Sequence, residues 1–275
     1  MKPSEQKRAL DTAVKAARAA GALMKKNFHL PKKVNETALH DIKLELDVRC
    51  QELIEKKLTA AFPKISVLGE EGDSGDAAAA YRWVLDPIDG TVNYAHGIPH
   101  ACVSIALQEK IQGTKSKAQA RHSISPDGFS TLIGVVYDPF VDELWTALRG
   151  GKAFLNGRVI KASRRATLEE SIVAVGFSKR TDTLTAMLPV LNRLIHRVRK
   201  VRIMGSAALS LTYVASGRHD AYLEAGVRLW DIAAGGLIVE CAGGDFFHQP
   251  VVGEPHAYKL VVNNGLLRKS LTALM

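Results

Sequence analysis

The 275-residue chain carries 37 Lys and Arg against 28 Asp and Glu, a formal charge of +9 with histidines neutral. With 47% hydrophobic and 24% charged residues it has an ordinary globular composition, which excludes disordered, collagen-like and coiled-coil classes. A chain this long buries roughly 70–75% of its unfolded surface, and Cys50, Cys102 and Cys241 are too few and too scattered for a disulfide framework or a metal finger.

Residues 4–28 place Leu10, Val14, Ala17, Leu23 and Met24 among lysines and arginines at roughly helical spacing, which predicts an amphipathic helix. The stretch before it, Met1-Lys2-Pro3-Ser4-Glu5-Gln6, has no hydrophobic leader pattern. No apolar run approaches the ~20 residues that cross a bilayer, so the expectation is a soluble, cytoplasmic protein with no membrane partner. A polar loop is expected over 31–40, then a second helix through Leu46, Cys50, Leu53, Ile54 and Leu58 that stops at Phe62-Pro63. Past Pro63 the period changes. Ile65–Leu68, Arg82–Leu85, Ala101–Leu107, Thr131–Tyr137 and Asp142–Ala147 read as strands, and 110–130 as a solvated loop. Beyond Gly150-Gly151 the pattern predicts strand 171–175, helices 182–197 and 207–216, strand 219–224, helix 231–241 and strand 258–262. The expected architecture is α/β in two halves sharing one cleft, 1–148 and 149–275, within a single unit.

The chemistry concentrates where strands end. Asp86-Pro87-Ile88-Asp89-Gly90-Thr91 closes one strand with two carboxylates three residues apart, oxygen ligands of the kind hard divalent cations take. The chain after Gly90 could open a helix whose free N–H groups hold a phosphate. Gly69-Glu70-Glu71-Gly72 follows another strand, so Glu70 or Glu71 could face the same cleft. Trp230-Asp231-Ile232-Ala233-Ala234-Gly235 sets an Asp in the first turn of a helix. Taken singly, these are a turn, a solvated loop and an N-cap. Taken together, three acidic groups at element ends repel one another unless a cation neutralises them.

In this order and at these separations, the three motifs resemble those of the inositol monophosphatase family of magnesium-dependent, lithium-sensitive phosphatases, and the resemblance covers nearly the whole chain. It implies a layered α/β/α/β/α sugar-phosphatase fold, a homodimer and two or three Mg²⁺ per active site. Glu70, Asp86 and the Ile88 carbonyl then resemble the ligands of one ion, and Asp86, Asp89 and Asp231 those of a second, with Glu70 reaching a weaker third through water. Thr91 and Asp47 resemble the pair that orients and deprotonates the attacking water, and the N–H groups of Gly90 and Thr91 those that hold phosphate. Gly205, Ser206 and Ala207 resemble the turn that meets the substrate's hydroxyls, and Glu224 a carboxylate acceptor for a polyol.

The implied substrate is inositol 1-phosphate or a close polyol phosphate. Relatives acting on fructose 1,6-bisphosphate, histidinol phosphate or 3′-phosphoadenosine nucleotides share the metal motifs. One departure is local: Lys43-Leu44 stands where the family has Val-Thr. A competing class, a basic nucleic-acid-associated regulatory protein, draws on the segment 149–202, which holds 13 Lys and Arg against three acids. No helix-turn-helix, RNP or zinc-finger pattern accompanies that charge.

Overall fold

The computed structural model describes residues 1–38, 41–76, 78–111, 128–177 and 181–274. Helix α1 (Pro3–Asn27) opens with Pro at its first position, and the Glu5 carboxylate accepts the Lys2 N–H. Its buried face is Ala9, Ala13, Ala16, Ala17, Ala20, Gly21 and Met24. Leu10, Val14 and Leu23, expected as the core stripe, flank that face and are only half-buried. Small residues let the helix lie close on the sheet beneath.

Strands β1 (Val34–Ala38) and β2 (Asp41–Leu44) pair antiparallel where a loop was expected over 31–40. Asn35, Glu36 and Thr37 in a row hide the strand character of β1, and β2 is only four residues long, with Leu44 buried at its end. Helix α2 follows (Glu45–Ala61), then β3 (Ser66–Gly69), β4 (Tyr81–Asp89), the short α3 (Thr91–Ala95), β5 (Cys102–Lys110), β6 (Phe129–Asp138), β7 (Glu143–Leu148), β8 (Ala153–Leu155) and β9 (Arg158–Val159). Most of the expected loop 110–130 lies outside the described residues. The seven strands form one sheet in the order β3-β4-β5-β6-β7-β8-β9, parallel only between β3 and β4. It continues past Gly151, so the second sheet begins only at β10 (Ile172–Val175).

The rest of the chain supplies α4 (Thr181–Ile195), β11 (Lys200–Arg202), α5 (Ala207–Ala215), β12 (Ala221–Arg228), α6 (Leu229–Cys241), β13 (Asp245–Pro250), β14 (Ala257–Asn263) and α7 (Arg268–Thr272). Its five strands run in the order β11-β10-β12-β14-β13, with β10 parallel to β11 and β12.

Three hydrophobic cores divide the layers. α1 and α2 cover one face of the first sheet around Trp83, Ile105 and Ile133; α5 and α6 fill the space between the two sheets around Val136, Leu211 and Ile238; α4 and α7 back the second sheet around Val173, Leu194 and Leu271. The expected α/β/α/β/α layering follows from alternation along β6: Ile133 and Val135 pack toward α1 and α2, while Val136 packs toward α6.

Candidate active site

The parallel pair β3 and β4 ends at one sheet edge, with Gly69 in register with Leu85, and the Glu70 N–H bonds the Leu85 carbonyl at 3.1 Å. Of the two candidates in that motif, Glu70 lines the cavity beside this edge and Glu71 does not. Gln51 of α2 fixes the turn. Its Oε1 accepts the Glu71 N–H at 3.0 Å and its Nε2 donates to the Gly72 carbonyl at 2.8 Å.

Strand β4 does not stop for a turn at Pro87 as expected. It runs to Asp89, with its pairing to β5 irregular between Asp86 and Asp89, the kind of bulge that accommodates a strand proline. The bulge aims Asp86 and Asp89 toward the same place. Gly90 then takes φ 97°, a left-handed turn that only glycine adopts freely, and a Cβ there would meet the His100 carbonyl at 2.9 Å. Thr91 Oγ1 donates to the Ile88 carbonyl at 2.8 Å.

Asp231 comes from the other side of the cleft, in the first turn of α6, where its Oδ2 accepts the Arg228 N–H at 2.8 Å. Ligand oxygens of Asp86, Asp89 and Asp231 lie within 4.8 Å of one another. Burial pushes the Asp86 carboxyl well above the usual carboxylate range, and the charges of Glu70, Asp89 and Asp231 push it further. Burial does the same to Asp231, reinforced by Asp89 and Glu70. Asp89 is raised by burial against the pull of its hydrogen bonds. Hard oxygen donors packed this tightly, with their charges destabilised, could hold a metal ion.

Asp89 is held mainly by the second half of the chain. It accepts the Ala208 N–H at 2.7 Å, the Ala207 N–H at 3.2 Å and the Ser206 hydroxyl, the free donors at the start of α5. Gly205, Ser206 and Ala207 line the cavity, but the Ser206 hydroxyl and the Ala207 N–H are turned onto Asp89 rather than free for a substrate.

The cavity has a volume of about 610 Å³. Glu224 lines it from β12, accepts the Tyr222 hydroxyl, and is pushed up to about 7 chiefly by burial. Gly176 faces this carboxylate so closely that a Cβ there would overlap it. Asp47 is the exception among the candidates, for it is not among the residues lining the cavity. It is buried in the first turn of α2, where its Oδ2 accepts the Leu44 N–H at 2.7 Å, and its charge adds to the burial that raises the Tyr94 hydroxyl on α3, the helix that carries Thr91. Cys102 lies 3.7 Å from Asp89 Oδ2, but burial raises its thiol well up, with Asp89 adding to the shift, so it is no thiolate nucleophile. Arg228 and Glu254 line the cavity without having been singled out from sequence, since neither belongs to a motif.

A layered α/β/α/β/α fold with a buried acidic cluster between its sheets is a setting in which a metal ion could be held. The sequence pattern of the inositol monophosphatase family matches residues 5–115 and 128–267, and the chain belongs to that family. It is 38% identical over 242 residues to a Nus factor SuhB of Xylella fastidiosa, covering 87% of this chain and 81% of the relative. It is 36% identical over 245 residues to inositol monophosphatase 1 of Solanum lycopersicum, covering 86% and 83%. Among solved structures, the extragenic suppressor protein SuhB of Bartonella henselae superposes with a TM-score of 0.83 at 31% identity, over 97% of this chain and 98% of that one. An inositol monophosphatase of Thermotoga maritima gives 0.79 at 30%, over 96% and 95%.

Proposed function

We propose that this protein is a Mg²⁺-dependent phosphomonoester hydrolase that releases phosphate from inositol 1-phosphate or a close polyol phosphate. The observation that carries the reading is the convergence of Asp86, Asp89 and Asp231 in a buried cluster whose carboxyls are pushed upward by burial and mutual repulsion. Glu70, Asp86 and the Ile88 carbonyl would hold one Mg²⁺ and Asp86, Asp89 and Asp231 a second, with Glu70 reaching a third through water. Bound there, the ions supply the positive charge that makes a water acidic enough to attack and offsets charge on the leaving oxygen. Thr91 at the cavity wall orients that water, with Asp47, which does not itself line the cavity, as its partner in taking the proton. The N–H groups of Gly90 and Thr91 hold the phosphate, and Glu224 accepts hydrogen bonds from the polyol beside the wall of Gly205, Ser206 and Ala207. The whole chain works as one unit, 1–148 serving metal and phosphate with Asp231 contributed by the second half, and 149–275 recognising the alcohol.

The test is phosphate release by purified protein with Mg²⁺ from a panel of inositol, sugar and nucleotide phosphates. Release from inositol 1-phosphate, lost in Asp86→Asn, is expected. No release from any of the panel, or an active Asp86→Asn, refutes the reading.

A second reading, association with nucleic acid, is favoured by the relatives named Nus factor SuhB and by the basic segment. Arg199 and Lys200 lie at the start of β11, whereas Val175 and Ile203 at the other end of β10 and β11 line the cavity. That part of the positive charge sits away from the acidic cluster. RNA binding that is steep in salt and survives Asp86→Asn is the expected signature, and no binding at ~50 mM salt removes this reading.

A further inference from the structure

Arg228 is half-exposed at the wall of the cavity, in the cap position of α6 and three residues before Asp231. Its Nη1 donates to the Pro255 carbonyl at 2.9 Å and stands 3.6 Å from Glu254 Oε2. Both partners belong to the connection between β13 and β14, which contributes Val251 and Glu254 to the cavity wall, with Ala257 at the start of β14 beside them. Next to them, the His256 ring stands 6.5 Å from Trp230.

The separation of 3.6 Å is an ion pair beyond hydrogen-bond range. A half-exposed pair of this kind contributes little, on the order of 0–1 kcal/mol. A guanidinium presents a planar fork of donors, and both contacts here use one nitrogen. A phosphate dianion accepts two short, parallel, charge-assisted bonds from such a fork, a stronger interaction than the one Glu254 offers. Among the described residues, Lys43 and Arg228 are the cationic side chains lining the cavity, and Lys43 comes from β2 in the other half of the chain. On the described wall that the second half provides, Glu224 and Glu254 would repel an anionic leaving group, and Arg228 is placed to reverse that.

We propose that Arg228 is a specificity residue that selects esters carrying a second phosphate on the leaving group. The guanidinium exchanges Glu254 for that phosphate while the scissile phosphate lies at the acidic cluster. This rests on the phosphatase reading above, and the two fail separately.

The test is titration calorimetry of the whole protein in Ca²⁺, under conditions where no phosphate is released, with three esters: inositol 1-phosphate, fructose 1,6-bisphosphate and adenosine 3′,5′-bisphosphate. Arg228→Gln is expected to weaken at least one bisphosphate by about tenfold or more while changing inositol 1-phosphate by less than about twofold. Which bisphosphate responds distinguishes a sugar from a nucleotide as the source of the second phosphate. Arg228→Lys, which keeps the charge and loses the fork, falls between. Glu254→Gln tightens the same bisphosphate. Equal changes for mono- and bisphosphates, no change, or a wild type that binds neither bisphosphate overturns the proposal. If Arg228→Gln melts early, Glu254→Gln decides alone: a bisphosphate affinity that does not rise overturns it. Discriminated binding with no hydrolysis of any ester in Mg²⁺ sinks the phosphatase reading and leaves Arg228 assigned.

Discussion

Gln51 offers the sharpest test of how the metal-side turn is held. It is 5% exposed and makes three hydrogen bonds: from Nε2 to the Gly72 carbonyl and to Glu55 Oε1, both at 2.8 Å, and from the Glu71 N–H to its Oε1 at 3.0 Å. At a net value of about 1 kcal/mol each, Gln51→Ala loses roughly 3 kcal/mol, less whatever water recovers at the half-exposed turn. The expected loss is therefore about 2–3 kcal/mol, read as a shift of the urea midpoint at unchanged slope. Gly69 is coupled to the same side chain, because a Cβ at 69 would stand 2.4 Å from the Gln51 amide. Gly69→Ala should therefore destabilise the wild type clearly and the Gln51→Ala background much less, a coupling that a double-mutant cycle measures. Because this turn carries Glu70, a displacement of about 1 Å should also lower kcat by up to about 100-fold and raise the Mg²⁺ concentration required. A Gln51→Ala protein within about 0.5 kcal/mol of wild type, with additive Gly69→Ala and unchanged Mg²⁺ dependence, would refute the reasoning.

Divalent cation should raise the melting temperature of the wild type, by the equivalent of about 2.7 kcal/mol at a hundredfold excess over Kd, and do so far less in Asp86→Asn; an equal rise in both proteins disproves the cluster as the binding site. Glu240 is pushed up to about 7 by burial, against the pull of Arg149. Its folded form thus holds a proton that the unfolded chain has released above about 4.5, so its contribution to stability declines as pH rises from about 4.5 to 7. Glu240→Gln removes that decline and gains on the wild type by up to about 3 kcal/mol across the window, whereas parallel stability curves at pH 5 and pH 8 exclude the titration. Gly176→Ala drives a methyl into the Glu224 carboxylate and should raise KM for the polyol ester well above its effect on kcat; steady-state kinetics showing the reverse split would place Glu224 in the chemical step instead.

The layered fold was legible because its core strands and helices carry hydrophobic periods of two and 3.6 that few other arrangements satisfy. What escaped was mostly short structure. β1 and β2 are five- and four-residue strands of mixed polarity, β9 and β11 are two- and three-residue edge strands, and a buried face made of alanine in α1 was misplaced onto the larger Leu10 and Val14. The acidic site was legible for a different reason. Asp86, Asp89 and Asp231 stand in motifs whose neighbours, Pro87, Gly90 and the helix start at Leu229, are punctuation that sequence displays. Gln51, Arg228 and Glu254 carry no such punctuation. Their roles depend on which loop folds back over them, information held in contacts 20 and 26 residues apart along the chain.

Asp89 shows why the two sheets and the acidic cluster belong to one problem. Its carboxylate is the anion at the start of α5 and also a member of the cluster, so the α5 N–H groups that hold it join the second half of the chain to the end of β4. Asn93 adds a second tie, donating to the His100 carbonyl at 2.9 Å and to the Met204 carbonyl at 2.8 Å, and Ser104 a third, donating to the Trp230 carbonyl at 3.0 Å. Each tie reaches the cavity wall or its immediate neighbour. The donors around Asp89 stabilise its charged form, whereas Asp86 and Asp231 are buried and raised further by the charges of their neighbours. A cation entering the cluster therefore meets one carboxylate already kept in place by the fold and two whose charges it relieves, and the gain from relieving them is stability delivered to the seam between the sheets.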